Sequence, residues 1–237
     1  MQLTGKIMIT MASVLLMALG CQTVKNTNHA QRGVAVGTTT GAVIGAVLGN
    51  NVGNKNHTVI GAIIGAAVGG AIGGVIGTKM DRQAEKIKNE VPGAVVERVG
   101  EGINVTFDEN NPDGSKAGVF FDTDQYAITA NSKLSLDKLV KIFVLNPETD
   151  ILIEGHTDDV GTSPYNLRLS KKRAVAVGNF IKADGINPSR LTIKWYGESQ
   201  PKTDNATDVG KAGNRRVEFG ITANQKMKDE ATKEANK

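Results

Sequence analysis

Apolar and polar positions alternate along residues 94–107, and this alternation predicts a β-hairpin whose turn contains Gly100 and Gly102. Residues 119–121 and 150–154 predict two further short strands. Between them, residues 130–145 carry apolar side chains at mainly helical spacing. They predict an amphipathic helix, and its buried side is expected to contain Leu134, Leu139, Ile142 and Phe143.

A second helix is predicted between Ser163 and Gly185. Ser163 is a suitable N-cap residue, Pro164 suits the first helical position, and Gly185 is typical of the position after a helix end. Residues 190–195 and 215–221 then predict two more strands. The apolar stripe of the helix comprises Leu169, Ala176, Val177, Phe180 and Ile181.

The order of these elements predicts an α/β domain of the α+β two-layer type at residues 94–221. We expect a mixed sheet backed by helices on one face. The final residues, 222–237, are rich in charge, and we expect them to form a disordered tail. Pro92 and Gly93 mark the expected boundary before the domain.

Glycine recurs at every fourth position from Gly33 to Gly53, and again from Gly61 to Gly77. This spacing places the glycines on one helical face, where another helix can approach closely. Residues 33–79 therefore predict a helical hairpin of the glycine-zipper kind, followed by a charged, exposed linker helix at 80–93. Two alternatives stay open: the hairpin inserts into a membrane, or it forms a non-spanning pair that self-associates into homo-oligomers on the membrane surface.

The first twenty residues have the pattern of an export signal peptide, with a single lysine followed by the apolar stretch 7–19. The stretch ends at Ala18-Leu19-Gly20-Cys21, and Cys21 is the single cysteine of the chain. This segment resembles the lipobox of bacterial lipoproteins, in which the cysteine is lipidated and becomes the mature N-terminus. Residues 21–32 would then be a linker. The alternative is an ordinary cleaved signal with an incidental cysteine.

Composition and charge exclude several classes of function. The net charge of +4 is modest, and basic residues do not form a stripe interleaved with aromatic residues, so nucleic-acid binding is not expected. His156, Asp158 and Asp159 lie close enough in sequence to suggest a metal or acid–base centre, but the sequence offers no second cluster of ligands with suitable spacing. We therefore expect neither an enzyme nor a bound metal or cofactor.

Charged residues near the predicted strand ends indicate a binding site. Asp158 follows the strand at 150–154, Arg173 lies on the next helix, and Arg215 and Arg216 open the last strand. One carboxylate and several guanidinium groups suit a ligand that carries both an ammonium and a carboxylate group. Four- and three-residue spacing also places Asn166, Ser170 and Arg173 on one helical face.

The motifs of this region resemble those of the OmpA C-terminal family over residues 119–221. They are FFDTD at 120–124, GHTDDVG at 155–161, YNLRLSKKRA at 165–174, YGESQP at 196–201 and NRRVEF at 214–219. The resemblance implies non-covalent binding of peptidoglycan through the diaminopimelate of the stem peptide. With the glycine series and the lipobox, the whole chain resembles an OmpA-family outer-membrane lipoprotein.

The resemblance also implies residue roles. It assigns the ligand ammonium to Asp158 and the ligand carboxylate to Arg173. The same pocket would be lined by Asp122, Thr157, Asn166 and Arg215. From the residues alone, Asp158 could instead cap a turn, and Arg173 could belong to a structural ion pair.

The sequence therefore predicts a tether between the outer membrane and the cell wall. A lipid on Cys21 would hold one end, and Gln22 in place of Asp implies the outer membrane by the lipoprotein resemblance. The C-terminal domain would face the periplasm and bind peptidoglycan. The alternative is a Pal-like component of a trans-envelope protein complex, in which protein partners matter as much as the wall.

Overall fold

The computed structural model of the protein describes residues 68–107, 121 and 125–237. The predicted export signal, Cys21, the glycines before residue 68, the strand positions 119 and 120, and Asp122 lie outside the described residues. The helices are α1 (Gly70–Glu90), α2 (Ala130–Leu145), α3 (Ser163–Ala183), α4 (Asp208–Asn214) and α5 (Gln225–Ala235), with a 3-10 turn at Pro188–Arg190. The strands are β1 (Ala94–Val99), β2 (Gly102–Phe107), β3 (Thr149–His156), β4 (Leu191–Gly197) and β5 (Val217–Ala223).

The strands form one mixed sheet in the order β1-β2-β5-β3-β4. Strands β3 and β4 are parallel, and every other neighbouring pair is antiparallel. The last strand, β5, therefore lies in the middle, where Phe219 is opposite both Val105 of β2 and Ile153 of β3. The predicted mixed sheet with helices is confirmed.

Alternate side chains of the central strands form the hydrophobic core. Val105, Ile153 and Phe219 are fully buried, and they pack in one cluster with apolar residues of α1, α2, α3 and α5. The rings of Phe107 and Phe219 meet edge to face at 5.6 Å between centroids. Because side chains alternate between the two faces of a strand, the strand residues next to these core residues lie on the opposite face of the sheet.

The predicted helix at 130–145 is observed as α2, but one of its expected core residues is wrong. Leu139, Ile142 and Phe143 are fully buried, whereas Leu134 is 61% exposed. Leu134 lies on the same helical side as Lys138, four residues further on, and that side faces solvent. The helix starts at Thr129, whose hydroxyl accepts a hydrogen bond from the Ser132 N–H at 3.2 Å.

Helix α3 also matches its predicted range, with changes in detail. Thr162, not Ser163, occupies the N-cap position, so Ser163 is the first helical residue. Ala176 and Phe180, two members of the predicted stripe, are half-buried, while Val177 and Ile181 are fully buried.

The expected exposed linker helix at 80–93 is wrong, because α1 is an integral part of the domain. Helix α1 runs without interruption from the last glycines of the second series to Glu90. Ile76, Met80 and Ile87 are fully buried in the main core. Their spacing of four and seven residues makes one apolar stripe, which the charged residues between them conceal in the sequence. The core therefore extends across the boundary expected at Pro92 and Gly93.

The start of α1 is tied to the hairpin of β1 and β2. The Glu101 carboxylate accepts hydrogen bonds from the N–H groups of Val68 at 2.9 Å and Gly69 at 3.3 Å. Arg98 forms an ion pair with Asp81 at 2.8 Å. The carboxylate binds the N-cap residue Gly69 and the residue before it, next to the positive end of the helix dipole. The hairpin thus fixes the point at which the chain enters the domain.

The expected disordered tail at 222–237 is also wrong. Strand β5 continues to Ala223, and α5 follows it from Gln225 to Ala235. Asn224 caps this helix by accepting from the Met227 N–H at 3.2 Å. Met227 and Ala231, one helical turn apart, are buried in the main core, which anchors a segment whose remaining residues are mostly charged.

Among the described helices, none combines the length and the apolar character that crossing a membrane requires.

Candidate functional site

The loop after β3 is held between the two neighbouring strands. His156 donates its backbone N–H to the Arg216 oxygen at 3.1 Å, and Thr157 donates its own to the Gly197 oxygen at 3.0 Å. His156, Thr157 and Asp158 are all buried. The backbone of the loop is therefore fixed at the end of the sheet, next to the residues that precede β5.

Asp158 forms an ion pair with Arg215, whose Nη1 lies 2.7 Å from Asp158 Oδ2. The other carboxylate oxygen, Oδ1, accepts from the Val160 N–H at 3.2 Å, which closes a turn two residues long. The adjacent Asp159 is exposed. Asp158 therefore combines the turn-capping role that was an alternative with a contact to a second predicted site residue.

Helix α3 packs on this loop through one face. Asn166, Ser170 and Arg173 are all buried on α3, in agreement with their predicted shared face. Ser170 Oγ accepts from the Gly197 N–H at 2.9 Å and donates to the Leu167 oxygen at 3.0 Å. A Cβ atom on Gly155 would lie 2.5 Å from the Ser170 backbone oxygen, so glycine at this position permits the close approach.

Asn166 connects α3 to both the loop and the end of β4. Its Nδ2 atom donates to the Asp158 backbone oxygen at 3.3 Å and also to the carboxylate of Glu198. Ser163 donates its hydroxyl to the same carboxylate. These hydrogen bonds lower the pKa of Glu198, that from Ser163 first and that from Asn166 second.

Arg173 is directed towards the segment before α2. Its Nε donates to the Gln125 backbone oxygen at 3.0 Å, and its guanidinium carbon lies 5.1 Å from the centre of the Phe121 ring. Asp122, the predicted site residue outside the described part of the chain, lies between these two positions in sequence. The ion pair of Asp158 is with Arg215, whereas the Arg173 Nε bonds to the backbone of Gln125.

Two residues that organise the site were not predicted. Glu198 stands in the YGESQP motif, and Asn214 directly precedes the two arginines. The buried Asn214 side chain accepts from the Lys202 N–H at 2.7 Å and the Thr203 N–H at 3.0 Å. It thereby fixes the loop between β4 and β5 and the position of Arg215. Glu198 lies in the YGESQP motif and Asn214 in the NRRVEF motif, and these positions are the sequence signal that points to them.

A cluster of buried polar groups occupies the other face of the sheet, directly behind the site. Glu154 and Glu218 lie opposite each other on β3 and β5, and His156 stacks on Tyr196 at 5.5 Å between ring centroids. Glu218 is paired with the buried Arg216. The Arg216 guanidinium also donates to backbone oxygens of Gln200 and Asn214, so this arginine has a structural role.

Three of these groups, Glu154, His156 and Glu218, are of types that can bind a metal, and their ligand atoms lie within 4.8 Å of one another. The sequence did not indicate this group, because Glu218 belongs to a distant strand. A guanidinium already bonds to the Glu218 carboxylate, and a positive charge in that position opposes a second cation. The cluster is accounted for by the ion pair and the hydrogen bond from Tyr196 to Glu154 at 3.2 Å.

Comparison with known proteins gives two family matches. Residues 120–215 match the OmpA family, and residues 1–81 match the YMGG-like Gly-zipper family. The first range contains all six predicted ligand-binding residues, and the second contains Cys21 and the glycine series.

Three individual proteins illustrate the similarity. The probable lipoprotein YiaD of Escherichia coli is 30% identical over 143 residues, which are 60% of this chain and 63% of the relative. The peptidoglycan-associated lipoprotein of Rhizobium meliloti is 36% identical over 83 residues, or 35% of this chain and 47% of the relative. The crystal structure of a putative MotB-like protein from Desulfovibrio vulgaris has a TM-score of 0.52 at 27% identity, with 62% of this chain and 93% of that chain covered. This chain spans less than two thirds of the length of the curated relatives that it matches.

Proposed function

We propose that the chain binds peptidoglycan non-covalently and tethers the outer membrane to the cell wall, since residues 120–215 match the OmpA family and residues 1–81 match the YMGG-like Gly-zipper family. The observation that carries the proposal is the ion pair between the buried Asp158 and the half-buried Arg215 at 2.7 Å, inside the segment that matches the family. The similarity to a peptidoglycan-associated lipoprotein supports the same ligand.

The arrangement of the site suits the free amino-acid end of a stem peptide. Arg173 and Arg215 offer planar guanidinium groups, each able to bind a carboxylate through two hydrogen bonds. The carboxylate of Asp158 and the side chains of Thr157 and Asn166 lie at the same end of the sheet. Asp122 belongs to this proposed site through its position in the FFDTD motif. Binding without chemistry is the activity that we assign to it.

Co-sedimentation with purified diaminopimelate-type peptidoglycan tests the proposal on the full chain in mild detergent. Asp158→Ala and Arg173→Ala should each reduce pelleting about tenfold, because each removes a charge-assisted hydrogen bond to the ligand. Asp159→Ala and Arg168→Ala are matched controls, since both residues are exposed neighbours of the same type, and they should pellet like the parent chain. Undiminished pelleting of both site variants would refute the site.

We further propose that Cys21 carries a lipid that anchors the chain in the outer membrane, with the C-terminal domain in the periplasm. The Gly-zipper match and the similarity to a probable lipoprotein support this anchor. Lipid chains contribute about 0.8 kcal/mol per buried methylene group, so several chains on one residue hold a protein firmly. Metabolic labelling with a palmitate analogue should mark the parent chain and not Cys21→Ser; equal labelling would contradict the anchor. Homo-oligomers through the glycine segments stay a prediction.

A Pal-like role in a trans-envelope complex is the second candidate, favoured by the similarity to the peptidoglycan-associated lipoprotein. In that case, protein partners should remain bound to the full chain after peptidoglycan has been digested, whereas a simple tether should then be released without them.

A further inference from the structure

The charge of Asp158 is already compensated within the protein. Arg215 lies 2.7 Å from one oxygen, and the Val160 N–H bonds to the other at 3.2 Å. A ligand ammonium that approaches Asp158 therefore meets a pair of residues whose formal charges cancel. Attraction of a cation to such a pair is much weaker than to an isolated carboxylate. A further carboxylate beside this pair would change the net charge of the site.

Glu198 is such a carboxylate. It follows directly after Gly197 at the end of β4 and is half-buried. Its two oxygens accept hydrogen bonds from the Ser163 hydroxyl and the Asn166 amide, which are neutral donors. Among the ion pairs of the described residues, none involves Glu198. The two hydrogen bonds lower its pKa, so the side chain is ionised at neutral pH.

Asn166 places Glu198 next to the proposed ligand. One nitrogen atom, Asn166 Nδ2, donates both to Glu198 and to the Asp158 backbone oxygen, so the two acceptors share a donor. Asn166 is buried and lies on the α3 face that also carries Arg173. Glu198 therefore stands at the rim of the Asp158 loop, held at two points on α3, with its negative charge not balanced by a neighbouring cation of the described structure.

We propose that Glu198 determines specificity in this site by supplying the uncompensated negative charge that selects ligands with a free amino group. This inference rests on the proposed function, because it concerns the same site and the same class of ligand. Asp158 meets the ligand as one member of a charge-compensated pair with Arg215, and Glu198 adds the net attraction for an ammonium group. Loss of a charge-assisted interaction of this kind weakens binding by about tenfold.

The test compares two soluble peptides and the full chain in mild detergent. One peptide is the stem tripeptide that ends in diaminopimelate, and the other is the same peptide with its side-chain amine acetylated. Calorimetric Kd values are measured for the parent chain and for Glu198→Gln, which keeps the shape of the side chain and removes its charge. The variant should bind the free-amine peptide about tenfold more weakly, with the Kd of the acetylated peptide unchanged within about twofold.

Ser163→Ala is the matched control, because it removes one hydrogen bond to Glu198 and leaves the charge in place. It should retain the preference of the parent chain for the free amine. The proposal is overturned if Glu198→Gln weakens the binding of both peptides equally. It is also overturned if Ser163→Ala loses as much of the amine preference as Glu198→Gln does. Either result would assign the effect to the hydrogen bonds around Glu198 and not to its charge. Unchanged binding in Glu198→Gln would overturn the proposal as well. If the parent chain binds neither peptide, the proposed function itself fails, and this inference fails with it.

Discussion

Glu154 and Glu218 lie directly opposite each other in the middle of the sheet, and both are nearly inaccessible to solvent. Like charges in this position repel each other. Arg216 bonds to Glu218, and Tyr196 donates to Glu154 at 3.2 Å. Burial, followed by the nearby Glu218 carboxylate, raises the pKa of Glu154 to about 7. The protonated form of Glu154 is therefore the form that fits this face of the sheet.

The pH dependence of stability follows from this pKa. An acid whose pKa is higher in the folded state stabilises the fold below its unfolded pKa, which is 4.5 for Glu154, and this stabilisation is lost as the pH rises through about 7. The difference corresponds to at most about 3 kcal/mol. We expect Glu154→Gln to remove most of this decline, because glutamine stays neutral at every pH in the range. Urea denaturation of the parent chain and of Glu154→Gln, at several pH values between about 5 and 8, measures the free energy of unfolding and its decline with pH.

Other charged groups lie near Glu154, and the experiment needs a control that separates its contribution from other effects. Lys194 and Arg216 favour its ionised form, and His156 has its Nε2 atom 4.0 Å from the Glu154 carboxylate. Because these groups stay in place in Glu154→Gln, any decline that remains arises from titrating groups other than Glu154. Glu97→Gln, at an exposed position of the edge strand β1, should show the full decline of the parent chain. An identical decline in Glu154→Gln would contradict the assignment.

At the scale of single elements, local pattern predicts most of the fold. Helices α2 and α3 have their predicted ranges because capping residues and apolar spacing are both present in the sequence. Leu134 lies five positions before Leu139, which is not a helical repeat, so the two side chains do not share the buried face of α2. The local pattern predicts two separate segments where α1 is one helix, because charged residues lie between the buried Ile76, Met80 and Ile87.

In the candidate site, too, local pattern predicts some features, while others depend on long-range packing. Asn166 and Arg173 could be placed on one face because helical spacing is a local property. The pairing of Asp158 with Arg215 joins residues 57 positions apart. It depends on the insertion of β5 between β2 and β3, which local pattern does not contain. Glu198 gains its role through contacts with α3 that depend on the same long-range packing.

At the scale of the whole molecule, the two ends of the described chain pack together. Helix α1 lies against α5, with Lys79 bonded to Glu230 at 3.1 Å. Met80 of α1 and Met227 of α5 are buried in the same core. The chain thus enters the domain through a helix that the C-terminal helix helps to hold in place. In a tether, any force from the membrane side would reach the sheet and the site through α1.

Deletion of residues 225–237 tests this arrangement. Burial of a side chain such as Met227 contributes about 1.5–3 kcal/mol, so the shortened chain should unfold about 5 °C or more below the parent chain. Circular dichroism during heating of the full chain in mild detergent measures the midpoint. Met227→Asp should reproduce most of the loss, because it places a charge in the core, whereas Lys226→Ala at the adjacent exposed position should leave the midpoint unchanged. Equal midpoints for the parent and shortened chains would mean that α5 is dispensable, and the domain would then end at β5 as the sequence alone suggests.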